Sequence, residues 1–468
     1  MFRQNLLINT DSYKASHYLQ YPPNTEYVNS YIESRGGRWN RTLFFGLQMF
    51  IREYLSIPIT MNDINQAADF WKMHGLPFNR EGFEYILKKH NGYLPIQIDA
   101  VDEGSIVETK NVLVQIINTD PNCFWLTSFL ETALLRAVWY PCAVATNSFM
   151  CKEIIREYLE KTADNPDAEI MFKLHDFGFR GVSSYESAAI GGCAHLVNFM
   201  GSDTTAGILA AKYFYDHDMA GFSIPASEHS TITSWGEEHE IDAFENMIRQ
   251  FSGINKIYAC VSDSYDLFEA IETKWTQLKD KIIESGGTLV VRLDSGNPIE
   301  IVSESIERLM SNFGFSYNTK GFKVLPNYIR VIQGDGIDEQ SIADILKEMT
   351  FRKLSTSNIA FGMGGALLQH LNRDTQKFAM KCSSITQNGK EIDVFKKPKT
   401  DLTKQSKPGR LALIKVNPKD NIPYYKTIRE SELNGEINQL KTVFKNGKIL
   451  RNHTFEEIRK RTNGESNG

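Results

Sequence analysis

Short apolar strands that alternate with helical periodicity between residues 171 and 369 predict an α/β fold with a closed or nearly closed parallel barrel. Seven strand-like runs stand there, at 171–174, 195–199, 222–224, 257–261, 288–293, 328–332 and 358–361. Each ends in glycines or polar residues, and most lead into a helix. After 288–293 come Asp294, Ser295, Gly296, Asn297 and Pro298, then Val302, Ile306, Leu309, Met310 and Phe313 at helical spacing. Asn297 reads as the N-cap and Pro298 as the first helical residue. After 328–332 come Gln333, Gly334, Asp335 and Gly336, then Ile342, Ile345, Leu346 and Met349. In such a barrel the loops after the strands share one face, where active sites gather.

The flanks read differently. Residues 28–35 alternate like a strand and end at Gly36-Gly37, residues 62–90 are helical, and 94–117 turn to β. A helix over 124–160 is predicted to break at Tyr140-Pro141. Strand patterns return at 378–384 and 392–396, a basic stretch runs from Lys396 to Arg410 through Lys404, and 424–460 offer a strand pair and a short helix. Residues 461–468 read as a frayed polar end. The expected organisation is a mixed α/β segment over 1–165, the barrel with the active site over 166–375, and a β-rich segment over 376–468 that packs with the first.

Composition narrows the classes. The 468 residues exceed one simple core. A net charge of −5 gives no global attraction to nucleic acid or anionic membrane. No run approaches the roughly 18 apolar residues of a membrane span, and the N-terminus lacks a secretory pattern. The six cysteines form no CxxC pair and sit in apolar surroundings, as buried free thiols of a reducing compartment do. A cytoplasmic location follows as the expectation, with neither nucleic acid nor membrane as a partner.

Chemistry concentrates at the strand ends. Glu228-His229-Ser230 stands where a strand hands over to a helix start, a position that favours phosphate-like anions. A histidine there, beside a carboxylate, can act as acid, base or nucleophile. Asp294 and Asp335 suit ribose hydroxyls or Mg²⁺, which takes a few carboxylates together with substrate phosphates. The loop from Gly362 to Gly365 can hold a phosphate on its backbone N–H groups. Arg180 and Arg292 can bind phosphate bidentately, and Phe177 can stack on a flat heteroaromatic ring. Any one of these residues alone is more often structural. Together they suggest a phosphorylated sugar, a metal and an aromatic base, hence phosphoribosyl transfer. No strand ends in paired acids followed by Thr-Gly, which sets aside the common type of that chemistry.

Several motifs are longer. Asp11-Ser12-Tyr13-Lys14, Tyr21-Pro22-Pro23-Asn24, the run from His175 to Ser184, Glu228 to Thr233, Ser262 to Asp266, Asp294 to Pro298 and Gln333 to Gly336 occur in order over about residues 5–460. In these the chain resembles the nicotinamide phosphoribosyltransferase family. The resemblance implies a type II phosphoribosyltransferase barrel with a second, β-rich domain built from both terminal segments. It implies transfer from phosphoribosyl pyrophosphate to nicotinamide in NAD salvage, with Mg²⁺, and with ATP hydrolysis coupled through a phosphohistidine. It also implies a homodimer with active sites at the interface.

Carried onto this chain, the resemblance makes His229 the phosphorylated histidine, with Glu228 and Asp263 orienting it. Phe177 and the partner's Tyr13 would sandwich nicotinamide, Asp203 would accept from the carboxamide, and Arg180 would touch the same ring. Asp294, Arg292, Gly334, Asp335 and Ser223 fall on the ribose and phosphate side, with Gly364 and Gly365 as the phosphate loop. Arg35, Arg373, Lys381 and Lys396 match cations that hold phosphate or pyrophosphate, and Mg²⁺ falls to Asp294 and Asp335. The loop after Arg35 is shorter than in animal members, Leu293 replaces Pro, Phe179 and Phe222 replace Tyr, and Ala379 replaces Ser. The short loop suggests a microbial or viral member. A nicotinic acid phosphoribosyltransferase is the nearest rival, and Asp203 speaks against it, because a carboxylate would repel the acid's own carboxylate.

Overall fold

The computed structural model describes residues 4–400, 405–418 and 423–465. Residues 401–404 of the basic stretch, Lys404 among them, and the last three of 461–468 fall outside these. The chain divides into two compact units, one of Met1–Thr146, Tyr213–His217 and Asn372–Gly468, the other of Asn147–Lys212 and Asp218–Leu371.

The second unit is the barrel. Its strands are β1 (Leu174–Asp176), β2 (Gly201–Ser202), β3 (Ile257–Val261), β4 (Thr288–Arg292), β5 (Ile329–Gln333) and β6 (Ile359–Met363), in spatial order β2-β1-β6-β5-β4-β3. Every pairing is parallel. The two edges are joined by one extended segment: Phe222 bridges Gly201 of β2 and Ala226 bridges Ala259 of β3, both in parallel sense. The Ser202 N–H donates to the Phe222 carbonyl at 3.0 Å, and the Ala259 N–H donates to the Pro225 carbonyl at 2.9 Å. Pro225 has no N–H to donate, so its place in the segment uses only its acceptor. The ring closes.

Helices α1 (Tyr185–Leu196), α2 (Thr205–Tyr215), α3 (Glu240–Phe251), α4 (Pro298–Phe313) and α5 (Glu339–Phe351) follow the strands or the closing segment. Asn297 caps α4 by accepting from the Ile299 N–H, with Pro298 at its first position, as expected. Two strands are misplaced by the sequence pattern: 171–174 falls mostly in a 3₁₀ turn, Ile170–Phe172, and meets the strand only at Leu174, whereas 195–199 misses its strand entirely. Residues 195–199 lie in the end of α1 and the turn after it, and the strand is the two-residue Gly201–Ser202. A short apolar run does not separate strand from buried helix, and here small residues decide. Gly192 in α1 meets Gly207 in α2 so closely that a Cβ on Gly207 would lie 2.5 Å from the Gly192 carbonyl carbon. His195 is buried inside α1, with Nδ1 2.9 Å from Ser148 Oγ.

The other unit carries a seven-stranded sheet in the order 390–393, 378–387, 25–34, 112–118, 96–100, 441–445 and 448–449. Its strands pair antiparallel. N-terminal and C-terminal strands therefore share one sheet. The helix Leu126–Thr162 runs unbroken through Pro141, contrary to the predicted break, and the boundary between the units falls within its length rather than near residue 165. The Pro141 ring sits over Gly46, where a Cβ would approach its Cγ to 2.4 Å. Val138, Cys142, Ala143, Val144 and Ala145 are buried around it. That burial outweighs the lost hydrogen bond. Residues 461 and 462, expected to fray, close the helix Phe455–Thr462.

The α1–α2 contact generates a stability test. Gly207→Ala overpacks it, and is expected to cost about 1–3 kcal/mol, read as a lower urea midpoint by far-UV circular dichroism. An unchanged midpoint would show that the helices separate freely.

Candidate active site

The barrel interior is hollow. Ala259, Val290 and Ile332 form a small inner cluster with Phe177, Ile224 and Ala360 against it. They line a cavity of about 1540 Å³ whose walls reach from Lys173, Ile257 and Thr288 at the strand starts to His229, Arg292, Gly334 and Gly364 at the strand ends. A pocket of this kind, mostly apolar with a few convergent polar groups, is the usual form of a ligand site.

The closing segment leads straight into His229. The Val261 N–H donates to Ser227 Oγ at 2.8 Å, and the Arg292 guanidinium donates to the Ser227 carbonyl at 3.3 Å. Two residues later His229 starts a five-residue helix, His229–Thr233. His229 Nε2 lies 3.0 Å from Asp263 Oδ1. The carboxylate is only 3% exposed whereas the imidazole is 49% exposed. The acid thus fixes the ring from the protein side and leaves the rest of it facing the cavity. The residue before it, Ser262, is fixed in its turn: Ser262 Oγ accepts from the Trp275 indole at 3.0 Å, and Trp275 stacks on Phe244 at 4.2 Å. Glu228 does not bond the histidine; its carboxylate accepts from Ser230 Oγ.

Phe177 follows β1, and its N–H donates to the Met363 carbonyl at 3.0 Å. Its ring covers Gly362, where a Cβ would lie 2.0 Å from Phe177 Cε2. Only glycine leaves room for the ring. Asp203 follows β2, and Ser223 Oγ donates to its Oδ1 at 2.5 Å. Arg180, exposed, lines the same cavity. Across the barrel the Arg292 guanidinium pairs with Asp294 Oδ2 at 2.5 Å. Asp294 Oδ1 is buried without a hydrogen-bond partner. Asp335 is exposed, and its carbonyl accepts from Gln333. Gly364 precedes the short helix Gly365–Leu368. Phe177, Arg180, Asp203, Ser223, Glu228, His229, Arg292, Gly334 and Gly364 therefore share one cavity wall, with Asp263 and Asp294 directly bonded to members of it.

The remaining expected residues lie in the other unit. Tyr13 is 58% exposed, with the Lys14 ammonium 5.3 Å from its ring centre. Arg35 donates through Nε to Glu33 at 2.9 Å, while its Nη2 is buried and unpaired. Burial lowers the Lys381 pKa, with the positive charges of Arg35, Lys396 and Lys14 adding to that against the pull of Glu131. Arg373 is exposed and pairs with Asp374 at 3.0 Å. Among the described residues no group of three or more His, Cys, Asp or Glu side chains is arranged to hold a metal ion. A Mg²⁺ ion that arrives with substrate phosphates needs fewer protein ligands, and the unpaired Asp294 oxygen fits that demand.

Three buried polar residues carry no role in the sequence reading. Lys173 donates to the carbonyls of Thr356 and Ile359, each at 3.0 Å, at the strand-start end. Gln333, wholly buried, ends β5. Asp176 is fully buried; its Oδ1 accepts from the Gly178 N–H at 2.7 Å and shapes the turn that carries Phe177. Burial raises its pKa to about 7. A polar residue at the last position of an apolar strand was the available signal for Asp176 and Gln333.

The sign for Asp176 is definite. An acid with a raised folded pKa binds more protons folded than unfolded, so its contribution to stability is lost as pH rises from about 4 to 7. Asp176→Asn keeps the acceptor for Gly178 and removes the buried charge. Its melting temperature relative to the parent is expected to be more favourable at pH 8 than at pH 5, and an equal difference at both pH values would contradict this.

The chain is similar to known proteins over nearly its whole length. Residues 172–448 match the Nicotinate phosphoribosyltransferase (NAPRTase) family and residues 5–98 match the Nicotinamide phosphoribosyltransferase, N-terminal domain. The chain is 50% identical over 463 residues to the nicotinamide phosphoribosyltransferase of Xanthomonas campestris pv. campestris, covering 98% of each. It is 32% identical to that of Acinetobacter baylyi, over 98% of this chain and 97% of the relative. Among solved structures, nicotinate-nucleotide pyrophosphorylase from Pyrococcus furiosus superposes with a TM-score of 0.64 at 16% identity, over 99% of this chain and 97% of that one. Human nicotinic acid phosphoribosyltransferase gives 0.63 at 16% identity, over 98% and 93%. These last two establish the type II phosphoribosyltransferase fold. With half its residues identical over nearly its whole length, the chain belongs to the nicotinamide phosphoribosyltransferase family, enzymes of NAD biosynthesis.

Proposed function

We propose that this chain transfers the phosphoribosyl group of phosphoribosyl pyrophosphate to nicotinamide in NAD salvage, releasing pyrophosphate, and couples the transfer to ATP hydrolysis through a phosphorylated His229. The observation that carries the reading is the convergence on one cavity of an aromatic face, an acid for the carboxamide, and a histidine held by a buried acid.

Phe177 supplies a flat surface for the pyridine ring. Ser223 holds one Asp203 oxygen, and the other is left to accept from the carboxamide NH₂. Nicotinic acid brings a carboxylate to the same place, where charge repulsion disfavours it. Displacement at the anomeric carbon passes through an oxocarbenium-like state, with the pyridine nitrogen as nucleophile and pyrophosphate as leaving group. Asp294 and Asp335 hold the ribose side, and Arg292 keeps the Asp294 carboxylate oriented. Asp294 and Asp335, together with substrate phosphates, would hold Mg²⁺, whose positive charge would offset that of the pyrophosphate.

For the ATP step, Asp263 holds one ring nitrogen of His229 and leaves the other with its lone pair for the phosphoryl group. The cations Arg35, Arg373, Lys381 and Lys396, and Tyr13 of the partner subunit, complete the site in a homodimer. The unpaired Arg35 nitrogen and the exposed Tyr13 ring support that assignment.

The decisive assay supplies phosphoribosyl pyrophosphate, Mg²⁺ and ATP with nicotinamide and nicotinic acid in parallel. Nicotinamide mononucleotide is the expected product, and Asp203→Asn is expected to narrow the preference for nicotinamide over nicotinic acid. Nicotinic acid mononucleotide as the parent enzyme's product would overturn the substrate, and an unaltered ratio would remove Asp203 from selectivity. His229→Ala is expected to abolish ATP hydrolysis and retain weak basal transfer. ATPase activity at the parent rate in that variant would refute the phosphohistidine.

A further inference from the structure

Gln333 closes β5 and is wholly buried. Its side-chain nitrogen donates to two backbone carbonyls, that of Asp294 at 3.2 Å and that of Asp335 at 2.8 Å. The acceptors stand in the loops after the adjacent strands β4 and β5. Two carbonyl oxygens on one side of the amide fix its orientation, since only the NH₂ end can donate to both. The loop after β4 requires such a tie. Asp294 has φ +43°, a left-handed conformation that non-glycine residues seldom adopt, and backbone of this kind persists only where its surroundings hold it. Between the two loops, a Cβ on Gly334 would stand 3.0 Å from Asp294 Oδ1 and 3.4 Å from Phe177 Cε2. The gap is closely set.

We infer that Gln333 is a positioning residue for the phosphoribosyl donor: its amide ties the Asp294 and Asp335 loops together so that both carboxylates meet the ribose side of the substrate at once. The inference rests on the assignment of those two acids to the ribose. Gln333 makes no hydrogen bond to the nicotinamide-side groups, since Phe177 is held through Met363 and Asp203 through Ser223. A split between the two substrates follows.

Gln333→Met keeps the length and volume of the side chain and removes both donors. The KM for phosphoribosyl pyrophosphate is expected to rise about tenfold, the scale set by two neutral hydrogen bonds of modest net value. The KM for nicotinamide is expected to stay within about twofold. Phosphoribosyl pyrophosphate should also protect the variant less against thermal unfolding than it protects the parent. Gln333→Asn, which keeps the amide on an arm too short for both loops, makes the same comparison if the Met variant does not fold. A lowered melting temperature with both KM values unchanged would overturn the inference in favour of a purely structural role, and so would an equal rise in both. Asp335→Asn run in parallel separates the two layers: if it leaves the KM for phosphoribosyl pyrophosphate unchanged, the ribose assignment fails and the inference with it. If it raises that KM while Gln333→Met does not, the inference alone fails.

Discussion

The site depends on the closure of a parallel ring by one short segment. Six strands alone would leave β2 and β3 as open edges, with unpaired backbone groups along the gap between them. Residues 222–226 fill that gap with a single bridge on each side. Parallel strands that close on themselves gather their C-terminal ends at one rim, whatever their spacing in sequence. Asp176, Ser202, Val261, Arg292, Gln333 and Met363 are the last residues of their strands, and every proposed barrel-side group lies within a few residues of one of them or of the closing segment.

A barrel of this size is ordinarily filled by layers of branched side chains. Here Ala259, Ala360 and Gly362 take inward places and leave a cavity of about 1540 Å³. Buried apolar area is thus moved outward, to the layer between strands and helices, where Leu289, Val291, Ile306, Leu309, Ile345 and Leu346 are wholly buried. Some of the polar groups left near the cavity are compensated, and others, such as Gln333 Oε1 and Asp176 Oδ2, are buried without a hydrogen-bond partner. Lys173 reaches three carbonyls, those of Thr356, Ser357 and Ile359, and pairs with Glu169 at 3.0 Å, which offsets the cost of burying an ammonium. Asp294 Oδ1 and Arg292 Nε are likewise buried and without partners. An uncompensated polar atom costs roughly 1–3 kcal/mol, a strain that a bound substrate can relieve.

Much of the barrel was legible because each strand carries its own punctuation. β3 lies where the apolar run placed it, and β4, β5 and β6 lie within a residue or two. Two of the misreadings have one cause. Both the 195–199 run and Pro141 were read by local rules, and both are decided by a glycine on a neighbouring segment, Gly207 and Gly46. Local sequence does not report who the neighbour is. The same limit applies to the site. His229, Asp203 and Asp294 stand at strand ends and could be picked out there, whereas the His229–Asp263 bond joins residues 34 apart in the chain. Family resemblance suggested it, and periodicity could not. Gln333 and Asp176 stayed hidden because their importance lies in burial and in hydrogen bonds to loops, neither of which residue type reveals.

The seam of the ring explains why polar chemistry collects on one side of it. A full strand there would satisfy its own backbone and offer little else. A segment with one bridge at each end leaves pairing positions open, and side chains take them up. Ser227 Oγ accepts from the Val261 N–H where a strand carbonyl would otherwise stand, which frees the chain to turn into His229 immediately. Ser223 Oγ donates to Asp203 across the other edge of the same segment. The serines that finish the fold therefore also set the histidine and the acid. A substitution that lengthened the regular pairing would make a better barrel and a poorer site, since backbone would then occupy the places from which Asp203 and His229 are aimed. Loose pairing at the seam is the condition under which one cavity wall can carry both Asp203 and His229.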